Sequence, residues 1–428
     1  MSKNSSRSPW VWIPTLYFAE GLPYVVAMTV SVIMFKRMGI SNADIALYTS
    51  WLYLPWVIKP IWSPIVDIFR TKRFWIIVMQ LLTGGTLAGV AFTLPGSDFF
   101  RWTLAFLWLL AFSSATHDIA ADGFYMLGLS KHHQAFFVGI RNTFYRLAML
   151  SGQGILVVLA GYLEEKTGAI ARSWSLTFMV LALLFAVFFI YHLFILPRPK
   201  EDTERKAEGM KDVFHSFIDT FTSFFKKRHA ALAIAFLLLY RLGEAQLVKL
   251  ASPFLLDSRE TGGLGLSTSD VGMVYGTAGI IALTVGGILG GIAVAQQGLR
   301  KWIWPLALAL NLPNLVYVGL AFWQPVSLWW ISAAVVVEQF GYGFGFTAYM
   351  LFMIYFSDGP NKTAHYAICT GFMALGMMVP GMFSGWIQEI IGYQWFFLWV
   401  VICTLPGFAL IPFLKIDPAF GLKKNTVE

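Results

Sequence analysis

An all-helical membrane protein, with twelve spans in two bundles of six and both termini on the cytoplasmic side, is the fold class this sequence predicts. Three observations lead there. Of its 428 residues 57% are hydrophobic and only 13% charged, with a mean hydropathy of +0.66. Apolar stretches long enough to cross a bilayer, roughly 20 residues each, recur along the chain. Lysine and arginine crowd into alternate loops.

The first six stretches run from Trp10 to Phe35, Ile45 to Val66, Phe74 to Leu94, Trp102 to Leu129, Ala135 to Leu163 and Trp174 to Leu196. Six more follow, from Ala230 to Leu256, Val271 to Ala295, Trp302 to Phe322, Leu328 to Phe356, Ala364 to Glu389 and Trp395 to Leu414. Helices are expected, because a span must satisfy its own backbone hydrogen bonds in lipid and these are too long and too evenly apolar for barrel strands. The first stretch exceeds a signal-peptide core and has no small-residue cleavage site, so it is expected to remain as a span.

Basic residues near span ends stay on the cytoplasmic side. With the N terminus inside, the inner loops and tails hold Lys3, Arg7, Arg70, Lys72, Arg73, Lys131, the cluster from Arg198 to Arg228, Arg300, Lys301, Lys362, Lys415, Lys423 and Lys424. The outer loops hold only Lys36, Arg37, Arg101, Lys166, Arg172 and Arg259. The net charge of +8 therefore reports topology, and no nucleic-acid partner is expected.

The polar insertion from Pro197 to His229 divides the chain into an N-terminal six-helix bundle (1–196), a cytoplasmic linker (197–229) and a C-terminal six-helix bundle (230–428). The linker opens on a charged run. It then places Phe214, Phe217, Ile218, Phe221, Phe224 and Phe225 on one helical face ahead of Lys226, Lys227 and Arg228, the pattern of an amphipathic helix on the inner membrane surface. Cys369 and Cys403 lie on different spans without metal-ligand spacing, so neither a disulfide, a metal site nor a cofactor is expected.

Five acids interrupt the apolar stretches: Glu20, Asp118, Asp122, Glu244 and Glu338. They fall on the first, fourth, seventh and tenth spans. An unpaired charge there costs a few kcal/mol or more, about 2.5 to 3.5 on insertion scales, so acids on every third span imply a polar cavity built from repeated units, as in a solute transporter. Five bases also lie within spans: Lys59, Arg141, Arg146, Arg241 and Lys249. Antiparallel geometry sets Glu20 level with Lys59, Asp122 with Arg141 and Asp118 with Arg146, while Arg241 and Glu244 share a helix face. These arrangements read equally as static ion pairs, which remove the cost of isolated charges, or as a working site. Glu338 has no base in its span and is the strongest candidate for proton exchange. Nearby Gly341, Gly343 and Gly345 read as helix-packing positions.

The two halves echo each other. Glu20 answers Glu244, and the basic turn from Asp67 to Arg73 answers the run from Gln296 to Lys301. Such an acid-and-base turn after the second span resembles the signature of the major facilitator superfamily, with Ser63 and Arg70 where that motif usually has glycines. The runs FAEGLPY (Phe18 to Tyr24), IKPIWSPIVD (Ile58 to Asp67), AFSSATHDIAADGF (Ala111 to Phe124) and YRLAMLSGQG (Tyr145 to Gly154) are similar to motifs of AmpG-type muropeptide permeases. VVEQFGYGFGFTAYM (Val336 to Met350), GMFSGWIQEIIGY (Gly381 to Tyr393) and LPGF (Leu405 to Phe408) continue the likeness in order. Tyr125 and Leu127 depart from it, standing where members often have Lys and Asp.

The resemblance implies proton-coupled import of anhydro-muropeptides or anhydro-disaccharides across a bacterial inner membrane by alternating access. The partners expected are a small solute, protons and the lipid bilayer, with the protein acting as a monomer. Glu20, Asp118, Asp122, Glu338 and Glu244 are the proton-coupling candidates. Lys59, Arg141, Arg146, Arg241, Lys249, Tyr24 and Gln339 are the substrate-binding candidates, and Asp67, Arg70 and Arg73 the inner gate. Another anionic metabolite, such as an acyl-CoA, a nucleotide or a siderophore-type solute, is the alternative cargo. An intramembrane enzyme using Asp118 and Asp122, four residues apart on one helix face, is the alternative class; it lacks a His and carboxylate cluster of ligand spacing.

Overall fold

The computed structural model describes residues 7–200, 202 and 210–422. Nine helices among them are long and apolar enough to cross a membrane. They include α1 (Pro9–Arg37), α4 (Lys72–Thr93), α5 (Phe99–Gly128), α6 (His132–Thr167) and α7 (Ile170–Ile195). Between α1 and α4 the second span is two helices, α2 (Asn42–Trp51) and α3 (Leu54–Ile68). Pro55 has no N–H to give to the turn before it, and the chain breaks at Leu52 and Tyr53.

After the linker helix α8 (Met210–Phe225) come α9 (Ala230–Leu256), α10 (Thr268–Gln297), α11 (Leu299–Trp323) and α12 (Leu328–Ser357). Glu338 and Gln339 lower the hydropathy of α12, which has the length of a span at 30 residues. The last two spans form one run, α13 (Lys362–Ile402), which reverses direction at Gly392. There φ is 72° and ψ 167°, a conformation open to glycine. With the broken second span, α12 and this reversal, the chain has the twelve-helix architecture.

The helices form two compact units, Met1–Met38 with Ile58–Ser216, and Gly39–Val57 with Phe217–Glu428. By chain order α2 belongs to the first six spans. By packing it belongs to the second unit, and the break before Pro55 lets the chain cross over. In the first unit Trp12 meets Phe124 edge to face at 5.3 Å within a core that includes Tyr17, Ile76 and Ala120. The second unit is built around Phe236, Tyr240, Tyr349 and Phe352.

Glycine sets the helix spacing in the second unit. A β-carbon at Gly343 would overlap the Leu283 carbonyl of α10, and one at Gly341 or Gly345 the carbonyls of Ala309 or Leu306 on α11. Gly341, Gly343 and Gly345 thus let α12 lie against both neighbours at once.

Phe224 of α8 is fully buried, stacked on Phe372 at 6.1 Å, and the Ser223 hydroxyl lies 2.9 Å from His365 Nε2. Ile218, Phe221 and Phe225 remain exposed, while the side chains of Phe214 and Phe217 lie outside the described residues. Beyond the helix, Lys227 Nζ donates to the Asp358 carbonyl at 2.8 Å and to that of Phe356. Burial pulls the Lys227 ammonium below its ordinary range, against the opposing attraction of Cys369 and Asp358.

Candidate functional site

In the first unit α5 carries Asp118 and Asp122 one helical turn apart, so both present the same face. Lys59 of α3 pairs with Asp118. Arg141 Nη2 of α6 donates to Asp122 Oδ1 at 2.7 Å, and its guanidinium lies over the rings of Tyr17 at 4.4 Å and Tyr125 at 5.1 Å. The Asp122 and Arg141 hairpin pair is one of the three expected from chain depth.

Lys59 takes Asp118 rather than Glu20, because depth alone does not fix which way a helix faces. The Glu20 carboxyl on α1 is buried beside them, its Oε2 without a hydrogen-bond partner, and it feels the charges of Asp118 and Asp122. Three acids and two bases therefore meet at the centre of this unit. Tyr24 and Arg146 lie half-buried.

Behind this cluster runs a buried chain that sequence reasoning did not assemble. Gln80 Nε2 lies 3.0 Å from His117 Nε2, Gln80 Oε1 lies 2.9 Å from His192 Nδ1, and His192 Nε2 lies 2.9 Å from the Thr15 hydroxyl. One amide thereby ties α1, α4, α5 and α7 together at the level of Asp118. A glutamine and a histidine inside otherwise apolar spans were the available signal.

Arg73 is fixed within the first unit as well. Its Nε donates to the Leu196 carbonyl at 3.3 Å and its Nη2 to the Leu193 carbonyl at 2.5 Å. Asp202 accepts the backbone N–H groups of Lys72 and Arg73 at 2.7 and 3.0 Å, capping α4 where its dipole favours an anion. Arg70 adopts φ 63°, the left-handed region, so the family's glycine at this place has a backbone reason. The side chain of Asp67 lies outside the described residues.

In the second unit α9 breaks at Tyr240 and Arg241. Arg241 there grips Glu244 with two bonds, Nε to Oε2 at 2.5 Å and Nη2 to Oε1 at 3.0 Å. A third bond runs from Nη2 to the Tyr342 hydroxyl at 2.9 Å, and the guanidinium packs on the Phe346 ring at 4.7 Å. Both charges are buried and mutually satisfied.

Glu338 is 1% exposed, and Gln339 Nε2 donates to its Oε2 at 2.9 Å. Tyr275 and Tyr317 lie close enough to feel its charge. The Tyr317 hydroxyl and both side-chain polar atoms of Asn314 are buried without a partner in the protein. No base is bonded to Glu338 among the described residues, as its span implied. Lys249, also on α9, donates to the Thr49 hydroxyl of α2 at 3.0 Å. No group of three or more potential metal ligands occurs among the described residues.

The model of the Major Facilitator Superfamily matches residues 15–365. The chain belongs to the major facilitator superfamily. It is a membrane transporter of the secondary type rather than an enzyme, and it is AmpG-like along its length. It is 27% identical over 415 residues to the AmpG 4 transporter of Rickettsia felis, covering 94% of this chain and 95% of that one. It is 26% identical over 403 residues to the anhydromuropeptide permease of Escherichia coli K12, covering 92% of this chain and 77% of the permease. The superfamily fold recurs in the solved structures of the nucleoside transporter NupG (TM-score 0.70, 16% identity, 95% of this chain and 98% of that one) and of a D-xylose-proton symporter (TM-score 0.70, 11% identity, 95% and 97%).

Proposed function

We propose that this superfamily member imports anhydro-muropeptides or anhydro-disaccharides together with protons across a bacterial inner membrane, acting as a monomer with both termini in the cytoplasm. The observation that carries proton coupling is the meeting of Glu20 and Asp118 beside Lys59. A buried carboxyl that feels the charge of a neighbouring carboxylate favours holding a proton. Protonation of Glu20 from outside removes its charge from beside Asp118, and loss of the proton inward restores it, while Asp118 stays paired with Lys59.

Asp122 with Arg141 extends the same cluster, and Glu338 is the corresponding acid of the second unit. Lys59, Arg141 and Arg146 would hold acidic groups of the solute, with Tyr24 and Gln339 offering hydrogen bonds. Arg241 and Glu244 satisfy each other so fully that their role is to brace the break in α9. Asp67, Arg70 and Arg73 form the inner gate. The exposed Ile218, Phe221 and Phe225 with Lys226 and Arg228 rest on the inner leaflet. The muropeptide cargo is supported by the permease-named relatives and by the charged cluster that such an acidic sugar would meet.

Uptake of a labelled anhydro-disaccharide by protein-containing liposomes tests this reading. An imposed proton gradient should drive accumulation, and Glu20→Gln should abolish accumulation while preserving solute exchange. Accumulation indifferent to a protonophore would remove proton coupling, and no uptake at all would remove the cargo.

A further inference from the structure

Among the described residues the cation at Lys249 has no anion. Its side chain is buried, 4% exposed, and no carboxylate there lies within ion-pair distance of the ammonium. One of its three N–H groups goes to Thr49, whose hydroxyl passes its own proton to the Ile45 carbonyl at 2.6 Å. Two N–H groups are left over. Ser252 follows three residues later on α9, and Ser50 adjoins Thr49 on α2. Both of their hydroxyls are buried without a partner in the protein.

Gly381 of α13 brings these groups together. A β-carbon there would lie 2.7 Å from Ser50 Oγ and 3.6 Å from Lys249 Cε, so its bare backbone is what both side chains approach. The Tyr53 ring, 5.6 Å from Nζ, covers another side. Both hydroxyls can donate, and neither is bonded to the ammonium or to any other protein group. Leaving such groups unsatisfied is costly, most of all for the charged one, so the arrangement calls for an acceptor from outside the protein.

We propose that Lys249, Ser252 and Ser50 form a carboxylate-binding site of the second unit, which takes an acidic group of the solute. The inference rests on the muropeptide reading for the identity of that solute. A carboxylate offers about four acceptor positions and no donor, matching two ammonium N–H groups and two hydroxyls. It also supplies the countercharge that a buried lysine lacks. Thr49, Ser50 and Tyr53 belong to the short segment bounded by Gly39, at φ 83°, and the break before Pro55.

The test uses the purified full-length protein and two forms of the anhydro-disaccharide, one with its lactyl carboxylate free and one with that group amidated. Titration calorimetry should show the wild type preferring the acid by about tenfold or more, the scale of a charge-assisted bond. Lys249→Met should bring the ratio near one, Lys249→Arg should restore it, and Ser252→Ala should lower it if the methionine variant fails to fold. A preference that survives Lys249→Met and Ser252→Ala overturns the site and leaves a recess holding water only. Equal binding of both forms by the wild type overturns it too, while the muropeptide reading stands. If neither form binds, the muropeptide reading falls, and sodium propionate against sodium chloride decides the site alone. Thermal stabilisation by propionate that is lost in Lys249→Met supports it, and its absence in the wild type overturns it.

Discussion

Each buried charge is decided by how many partners it meets. Glu244 is fully buried and holds Arg241 through two bonds, so Glu244→Ala would strand a guanidinium in the protein interior. A loss of about 3 to 5 kcal/mol is expected, read as a lower unfolding temperature in detergent. Asp122 differs, because its side chain is 41% exposed and that of Arg141 23%. Screening reduces the value of such a pair, and Asp122→Ala should cost about 1 kcal/mol or less. A larger loss from Asp122→Ala than from Glu244→Ala would contradict this ranking. Exchanging Asp122 and Arg141 should keep the fold but not transport, if Asp122 takes up a proton or Arg141 holds the solute. Arg70 makes a separate case, since its strain lies in the backbone. Arg70→Gly removes a left-handed cost of roughly 1 to 2 kcal/mol and adds glycine's entropy, for a net gain of about 1 kcal/mol or less. Uptake that falls while the unfolding temperature rises would assign Arg70 a role through its charge.

At the scale of the helix, hydropathy made most of the fold legible, because lipid allows one solution for a long apolar stretch and the stretches here are long. The second span was harder to read. Its apolar residues run on through Leu52 and Tyr53, and Pro55 alone signals the break that hands α2 to the other unit. Pairing was legible along one helix, as for Arg241 and Glu244, and in the hairpin that joins Asp122 to Arg141, where loop length fixes relative depth. Lys59 with Asp118 was not legible, since the choice over Glu20 depends on helix rotation, which chain distance does not encode. Glycine spacing was informative because backbone approach leaves few other options. Gly343→Val should therefore push α12 off the Leu283 carbonyl and cost about 1 to 3 kcal/mol, through overpacking. The same change at Gly319, where a β-carbon would meet nothing within 4 Å, should be tolerated. Equal unfolding temperatures for the two variants would deny that the α10 and α12 contact is set by glycine.

At the scale of the whole molecule, the proposed function rests on orientation, since proton-coupled import, as proposed, requires loading from outside and release inside. Orientation is written in the loops rather than in the spans. Lys226, Lys227 and Arg228 follow α8, whereas the loop after α9 offers only Arg259 beside Asp257 and Glu260. That loop is well held: Arg259 donates to the Gln324 and Pro325 carbonyls at 2.8 Å each, and the Tyr393 hydroxyl donates to Asp257 at 2.6 Å. These bonds satisfy Arg259 locally, so it is not available as an inner-leaflet anchor, while Arg228 is exposed beside the apolar face of α8. Bilayer asymmetry favours retaining such basic clusters on the cytoplasmic side. In a protein whose two native cysteines have been replaced, a single cysteine at Arg228 should react with an impermeant maleimide only in inside-out vesicles. One at Glu260 should react only in intact cells. Reaction of both from the same side would remove the six-plus-six topology, and with it the inward direction of transport.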